Sequence, residues 1–579
     1  MQQSAERSEK AQKVVDRMAE KLNRQIAGSL AACVHCGMCT ESCHYVLANP
    51  GDPTYAPAYK ADRIRKIFKR HYDWTGKVFP WWVKAASVYT DQDLEELKDI
   101  AFGKCTNCRR CSLNCPMGVD FATVNRMARG LLVHVGVMPE GVAVVSKDQW
   151  EIGNQMGVLP EDYIDTVEWM SEELVDEVND PAAAIPIDKP DCEIMYTINP
   201  REVKYDPRTI SDAAKIFYAA RESWTLPSDG WDMTNFGLFS GDDELGGAVS
   251  RRVFEKAQEL GARRVVMSEC GHGYRSTRCE GQNWAGMDVD FALESSVETM
   301  LRYVREGRIT LDKSKNNFSV TYHDSCNNGR SCGMFEEPRE LLSHVVTDFR
   351  EMYPNRAENY CCTGGGGAMS MSEYTPRRLK SAKIKADQLK ATGAKYVVTS
   401  CHNCVDGLSD LIRHYKLDMK VTQIVNLVAD ALVLETRVAV PLARPEPLTG
   451  KTIVVVDDEP DVRSFLSAIF EDNGATVIPA ADGEEGLKLA RQHKPDLVTL
   501  DISMPGQDGG KVFEAMRKDA ELGSTPVCII TGKPELRRLI YERPVPPPEG
   551  YLDKPVQEEI LLKNVRKILG LAEEQQKVH

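Results

Sequence analysis

Apolar residues recur along this chain with a helical period in some stretches and in short β-branched runs in others, and the changeovers outline its architecture. Near the start, Val14, Val15, Met18, Leu22 and Ile26 fall at helical spacing in a charged segment, which predicts one amphipathic packing helix over residues 1–28. Residues 116–190 continue as helix and turn acidic toward their end, at Glu172, Glu173, Asp176, Glu177 and Asp180. The run Pro186-Ile-Asp-Lys-Pro190 then punctuates the chain as linkers do.

From about 191 to 435 short β-branched runs alternate with helical ones, and the segment repeats itself in degenerate form. Gly261-Ala-Arg-Arg-Val-Val-Met-Ser-Glu-Cys270-Gly-His-Gly273 parallels Gly393-Ala-Lys-Tyr-Val-Val-Thr-Ser-Cys401-His-Asn-Cys404. In each, a helix ends at glycine and a strand delivers a cysteine at its C-terminal end, where α/β folds place ligands. The strand Glu193–Asn199 likewise parallels Val320–Cys326, but ends without the cysteine. Gly273 stands where the second half has Cys404, and Asn235-Phe236-Gly237 where it has Cys361-Cys362. The second half is therefore expected to hold the chemistry alone, with Cys270 and His272 facing the same cleft as a candidate substrate site.

A proline-rich linker over 436–450 ends the repeat, and a new alternation begins. Lys451–Val456 is a buried strand ending in Asp457, Asp458 and Glu459; Asp496–Leu500 ends in Asp501; Val527–Ile530 ends in Thr531; and Tyr551-Leu-Asp leads to Lys554. Strands alternating with helices predict a doubly wound sheet whose site gathers at the strand ends. There Asp457, Asp458 and Asp501 can hold Mg2+, with Asp501 as the nucleophile toward a phosphoryl group and Thr531 and Lys554 on its oxygens.

The cysteines carry the remaining signal. There are 18 in 579 residues, with a net charge of −14, no long apolar run and no basic-then-apolar start. Such a chain is expected in the cytoplasm with its cysteines on metals, and its charge argues against nucleic acid as a partner. Cys33-x-x-Cys36-x-x-Cys39-x-x-x-Cys43 and Cys105-x-x-Cys108-x-x-Cys111-x-x-x-Cys115-Pro116 are two complete runs of the two-[4Fe-4S] ferredoxin pattern. In that pattern the fourth cysteine serves the other run's cluster. Cys33, Cys36, Cys39 and Cys115 then hold one cubane, and Cys105, Cys108, Cys111 and Cys43 the other. Zinc is the competing reading and fits the spacing less well. His44 stands where the second run has its proline. The insertion between the runs, 44–104, has a basic stretch (Arg63, Arg65, Lys66, Lys69, Arg70) before Phe79-Pro80-Trp81-Trp82, suited either to an anionic membrane face or membrane subunit, or to a solvated helix with core aromatics.

Adjacent Cys361-Cys362 followed by Gly364–Gly367, with Cys326 upstream and Cys401-x-x-Cys404 downstream, imply a body larger than one ion. This spacing resembles the cysteine-rich (CCG) domain of the heterodisulfide reductase family, with one residue between the cysteine pair and its glycine. The resemblance implies that Cys326, Cys361, Cys362, Cys401 and Cys404 hold a noncubane [4Fe-4S] centre that is catalytic toward a disulfide-type substrate. A two-cubane segment fused to a paired CCG domain resembles the D-type subunit of that enzyme and its relatives in sulfate reducers: the K-type subunit of the complex serving dissimilatory sulfite reductase, and the corresponding Hmc and Tmc subunits. The Glu269-to-His272 loop is most similar to the K type.

The resemblance implies an oxidoreductase subunit bound peripherally to the cytoplasmic face of the inner membrane. Electrons from a membrane cytochrome b-type subunit and quinone pool would reduce a persulfide, trisulfide or disulfide of a small carrier protein (DsrC-like). The C-terminal segment resembles a response-regulator receiver domain, with Tyr551 at the switch aromatic position and a histidine kinase as implied partner. The expected architecture is multidomain: an α-helical ferredoxin-like domain over 1–150, a helical connector over 151–190, a duplicated α/β CCG domain over 191–435, the linker, and an α/β flavodoxin-like receiver over 451–579. Two other functions use the same cysteines: a quinone-linked dehydrogenase subunit of the glycerol-3-phosphate or lactate type, and a cluster-based redox sensor signalling through the receiver. Cys192, Cys279 and Cys332 are left without a role.

Overall fold

The degenerate repeat becomes two small sheets with the same strand order. In this computed structural model the described residues are 7–434, 448–504, 509–532, 540 and 543–571; most of the expected linker, at 435–447, lies outside them. Strands β1 (Ile194–Thr197), β2 (Trp224–Thr225), β3 (Arg264–Met267) and β4 (Ala292–Ser295) form one parallel sheet in the order β2-β1-β3-β4. Strands β5 (Ser319–Tyr322), β6 (Asp348–Phe349), β7 (Tyr396–Thr399) and β8 (Lys420–Gln423) form the other, in the order β6-β5-β7-β8. Pairings such as Tyr196 with Val266 and Thr321 with Val397 set equivalent central registers. The inner strands are buried along their length because helices cover them, as parallel sheets require.

Contacts divide the chain into two compact units. One comprises 7–168, 185–201 and 209–434 of the described residues. Its N-terminal helices bury Val14, Met18, Ile64, Ile67, Leu97, Phe102, Leu131 and Leu132 in a single core that also takes Phe236, Phe239, Leu245, Ala368 and Met371 from the duplicated part.

Three expectations need correcting in this unit. The helix expected over 1–28 is two, Glu9–Lys21 and Arg24–Ala32, because Leu22 is extended and the Asn23 side chain starts a new helix by accepting from the Ile26 N–H at 2.9 Å. The strand expected to run to Cys326 stops at Tyr322, and Cys326 opens a π-helical turn, Asn327–Ser331. Arg65, placed with the basic stretch expected on either a membrane-facing or a solvated surface, is buried in the helix Pro57–Tyr72, where it donates to the Cys33 carbonyl at 3.2 Å. Beyond that helix, Trp74, Trp81 and Trp82 stand 71%, 78% and 70% exposed, which removes the core-aromatic alternative for them.

The second unit comprises 169–184, 202–208 and the described residues from 448 on. Strands β9 (Thr452–Val456), β10 (Thr476–Ala480), β11 (Leu497–Leu500), β12 (Val527–Thr531) and β13 (Gly550–Asp553) form a parallel sheet in the order β10-β9-β11-β12-β13. This is the flavodoxin-like doubly wound order. Apolar clusters on both faces bury it, one around Phe513 and Met516, the other around Phe470 and Leu561. The acidic connector residues Glu172 and Asp176 pair here with Lys567 at 2.9 Å and Lys563 at 2.6 Å, on the last helix, Glu558–Ile568.

Candidate metal centres

Three segments bring the five CCG thiols together. Cys401 caps the helix His402–Tyr415 and Cys404 lies in its first turn, so the spacing of three puts both sulfurs at one helix end. Cys362 Sγ is 3.3 Å from Cys404 Sγ. The Cys361 and Cys362 sulfurs accept backbone N–H groups of Thr363 at 3.2 Å and Gly364 at 3.4 Å. Cys326 is close enough to Cys361 and Cys362 for their charges to raise its pKa, after burial has done so. Glycine is what lets these loops close: a Cβ on Gly364 would meet the Asn403 carbonyl at 2.0 Å.

His323 joins this group, with a ring nitrogen, Cys362 Sγ and Cys404 Sγ all within 4.8 Å of one another. Burial holds His323 well below the ordinary histidine range and so keeps it neutral. The Asn359 amide lies 3.1 Å from its Nδ1. Sequence reading passed over His323; its position three residues before Cys326 was the available signal.

Cys270 and His272 reach the same place from the other half. A Cβ on Gly271 would stand 3.2 Å from Cys401 Sγ, and the Glu269 carbonyl accepts the His402 N–H at 2.8 Å. The Glu269 carboxylate accepts from Gln423 Nε2 and the Ile424 N–H, which ties the two halves together. His272 lies 3.2 Å from Cys270 Sγ through Nδ1 and stacks on Phe239, while its buried Nε2 has no hydrogen-bond partner.

The two ferredoxin-type runs cross. Cys33, Cys36, Cys39 and Cys115 line one cavity together with Pro116. Cys43, Cys105, Cys108 and Cys111 line a second, where burial first, then Cys43, Cys108 and Cys105, push the Cys111 thiol well up. Thr106, which lines this second cavity, has its Oγ1 3.4 Å from Cys361 Sγ, and Cys361 is near enough to help push the Cys108 thiol up. The second cavity and the CCG thiols are therefore contiguous.

The surroundings of these thiols suit anionic iron–sulfur clusters. Lys60, Arg129 and Lys385 are buried around them and Arg330 is half-buried. Their hydrogen-bond partners are neutral: the Lys104 carbonyl for Lys60, the Cys108 and Ala357 carbonyls for Arg330, and the Asn359 and Gln388 amide oxygens and the Met352 sulfur for Lys385. Arg129 donates to the carbonyls of Ala101 (2.9 Å), Cys105 (2.6 Å), Phe239 (2.8 Å) and Gly366 (2.6 Å). Burial draws Arg129 down to about 10 and Lys385 to about 7. Buried cations are costly without a counter-charge, and thiolate-bound iron carries that charge. None of these four residues was singled out from the sequence, because each becomes informative only once the loops converge.

In the second unit Asp457, Asp458 and Asp501 place carboxylate oxygens within 4.8 Å of one another, enough for one cation. Lys554 Nζ bridges Asp457 at 2.8 Å and Asp501 at 2.7 Å, and these partners hold it above the ordinary lysine range against the effect of burial. Thr531 is buried at the end of β12, and Tyr551 is half-buried on β13.

Residues 29–119 match the 4Fe-4S dicluster domain, 320–408 the cysteine-rich domain and 453–566 the response regulator receiver domain. The Hdr-like menaquinol oxidoreductase iron-sulfur subunit 2 of Archaeoglobus fulgidus is 26% identical over 478 residues, covering 74% of this chain and 84% of the relative. The D-type subunit of the dihydromethanophenazine:CoB–CoM heterodisulfide reductase of Methanosarcina barkeri is 27% identical over 410 residues, covering 70% of this chain and 95% of the relative. Protein PilH of Pseudomonas aeruginosa is 40% identical over 118 residues, covering 20% of this chain and 97% of the relative. Fold and comparisons together define an iron–sulfur redox protein joined to a signalling receiver. Over about three quarters of its length it is similar to iron–sulfur subunits of the heterodisulfide reductase D type, and it carries 4Fe-4S dicluster, cysteine-rich and response regulator receiver domains in one chain.

Gly366 tests the junction between the cavities. Its φ is +67°, and a Cβ would meet the Thr106 carbonyl at 2.4 Å. Gly366→Ala should part the two loops and lower iron retention by the anaerobically purified protein at least about twofold, given a backbone clash on top of left-handed strain. Wild-type iron content in this variant would show that the loops need not touch.

Proposed function

We propose that this chain is the substrate-reducing iron–sulfur subunit of a membrane-associated respiratory complex. Cys33, Cys36, Cys39 and Cys115 would hold one [4Fe-4S] cubane, Cys43, Cys105, Cys108 and Cys111 the other, and Cys326, Cys361, Cys362, Cys401 and Cys404 a noncubane [4Fe-4S] centre. The electron source would be a quinol pool through a membrane cytochrome b-type subunit, and the substrate a disulfide- or trisulfide-type bond of a small thiol/persulfide carrier protein. The observation that carries this reading is the 3.4 Å approach of Thr106 Oγ1, on the loop lining the second cavity, to Cys361 Sγ, which joins that cavity to the CCG thiols. The menaquinol named for the Archaeoglobus relative supports a quinol source.

When bound, the clusters supply the one-electron steps that side chains cannot. The chain's own residues do the rest. Burial of the five thiols excludes water. The four buried or half-buried cations balance charge. Cys270 and His272 line the face that the substrate sulfur approaches, with the unpartnered His272 Nε2 available to hydrogen-bond it. Cys404→Ser should lose about four of roughly twelve irons and the thiol-dependent change in the oxidised protein's paramagnetic signal, leaving the cubane signals intact. A wild-type protein with only about eight irons, or with zinc, would sink the reading.

Among the described residues no helix is long and apolar enough to cross a membrane, and the attachment proposed is through a membrane subunit. The exposed Trp74, Trp81 and Trp82 are the face turned to the membrane subunit. A Trp81→Ala, Trp82→Ala double variant should move from the pelleted membrane fraction to the supernatant. Unchanged sedimentation would assign the tryptophans elsewhere.

The receiver is proposed to take a phosphoryl group on Asp501, with Mg2+ on Asp457, Asp458 and Asp501 and its oxygens met by Thr531 and Lys554; Tyr551 senses the change, and a histidine kinase is the donor. Asp501→Asn should abolish Mg2+-dependent labelling by acetyl phosphate while iron content stays at the wild-type value. Labelling that persists in this variant would place the acceptor on another residue.

A further inference from the structure

Two cysteines outside every candidate centre lie against each other. Cys279 and Cys332 are separated by 53 residues, and their sulfurs are 3.6 Å apart. The pair is at the surface, with Cys279 exposed and Cys332 half-buried. Cys279 lies in the π-helical turn Ser276–Gly281, which follows the Cys270 loop, and Cys332 caps the π-helical turn Asn327–Ser331, which follows Cys326. The two sulfurs therefore face each other across the two halves of the duplication. π-Turns of this kind recur at functional sites.

The local chemistry is asymmetric. A hydrogen bond from the Cys332 thiol, then Arg275 and Arg278, outweigh burial and bring Cys279 down to about 7. The same bond, with burial, drives Cys332 up. Arg275 is anchored by Asn327 Oδ1 at 3.3 Å and Arg278 by Glu298 Oε1 at 2.8 Å, so both cations are positioned rather than free to swing away. An accessible thiolate beside a thiol that keeps its proton is the arrangement of an attacking and a resolving cysteine.

We propose that Cys279 and Cys332 are a redox-active dithiol that exchanges with the disulfide of a low-molecular-weight thiol. The Cys279 thiolate attacks one sulfur of R–S–S–R, the S–S bond breaks, and one RS⁻ leaves and takes a proton. The Cys332 thiol then loses its proton and attacks Cys279 Sγ in the mixed disulfide, expelling the second RS⁻, which is also protonated. The pair gives up two electrons, the Cys332 thiol supplies one proton and solvent the other, the disulfide becomes two RSH, and a Cys279–Cys332 bond remains. Closing it needs the sulfurs to move from 3.6 Å to about 2.05 Å, a side-chain adjustment at an exposed position. Oxidation thus ties the turn behind Cys270 to the turn behind Cys326. No iron takes part, so this site is independent of the reductase reading.

The test uses the full-length, iron-loaded protein under anaerobic conditions with glutathione disulfide as the probe, followed by alkylation, digestion and mass spectrometry. The expected result is a peptide pair linked through Cys279 and Cys332, two fewer alkylatable thiols and unchanged iron. Cys332→Ala should instead trap glutathione on Cys279, and should slow Cys279 alkylation at pH 7 about tenfold, because the thiolate loses its hydrogen bond. Absence of the linked peptide in excess glutathione disulfide, or Cys279 alkylation indifferent to Cys332→Ala, would overturn the proposal.

Discussion

The iron–sulfur unit depends on one buried cation that ties together parts of the chain far apart in sequence. Arg129, on the helix Phe121–His134, has no carboxylate among its hydrogen-bond partners. It uses its planar fork of donors on carbonyls from the Cys105 loop, the Phe239 turn and the Gly366 loop. Each of those carbonyls would otherwise be buried without a donor, and the guanidinium would be buried without compensation. The approach of Thr106 to Cys361 follows from that arrangement, since Thr106 and Gly366 are brought within a backbone's width of each other.

Much of this architecture was legible beforehand. The duplication could be read because β-branched runs and terminal glycines survive at matching positions in both halves, even where the cysteines do not. The two identical strand orders reflect that. The two cysteine runs were legible because their spacing is short and strict, and the structure gathers Cys115 with the first run and Cys43 with the second. The strand-end acids of the receiver were equally plain, since a parallel sheet must bury its strands and expose their ends.

What escaped is what depends on convergence. His323, Lys385 and Arg330 are unremarkable in sequence and become informative only when loops from three segments close round the same thiols. Arg65 looked like one of five cations on a surface facing either membrane or solvent, yet it turns inward to satisfy the Cys33 carbonyl. Asn23 interrupts a run with good helical periodicity, because its side chain offers the backbone a competing bond. In the second unit, the acids at 172 and 176 were read as the end of a helical connector, and their pairing with two lysines on the last receiver helix could not be seen from the sequence.

The Arg129 clamp also bears on how the protein is made. Arg129 and Gly366 are 237 residues apart, so the ribosome releases all eight thiols of the two N-terminal runs well before it has made the loop that covers the second of them. The packing around the second run is therefore completed by chain that is synthesised long after the run itself.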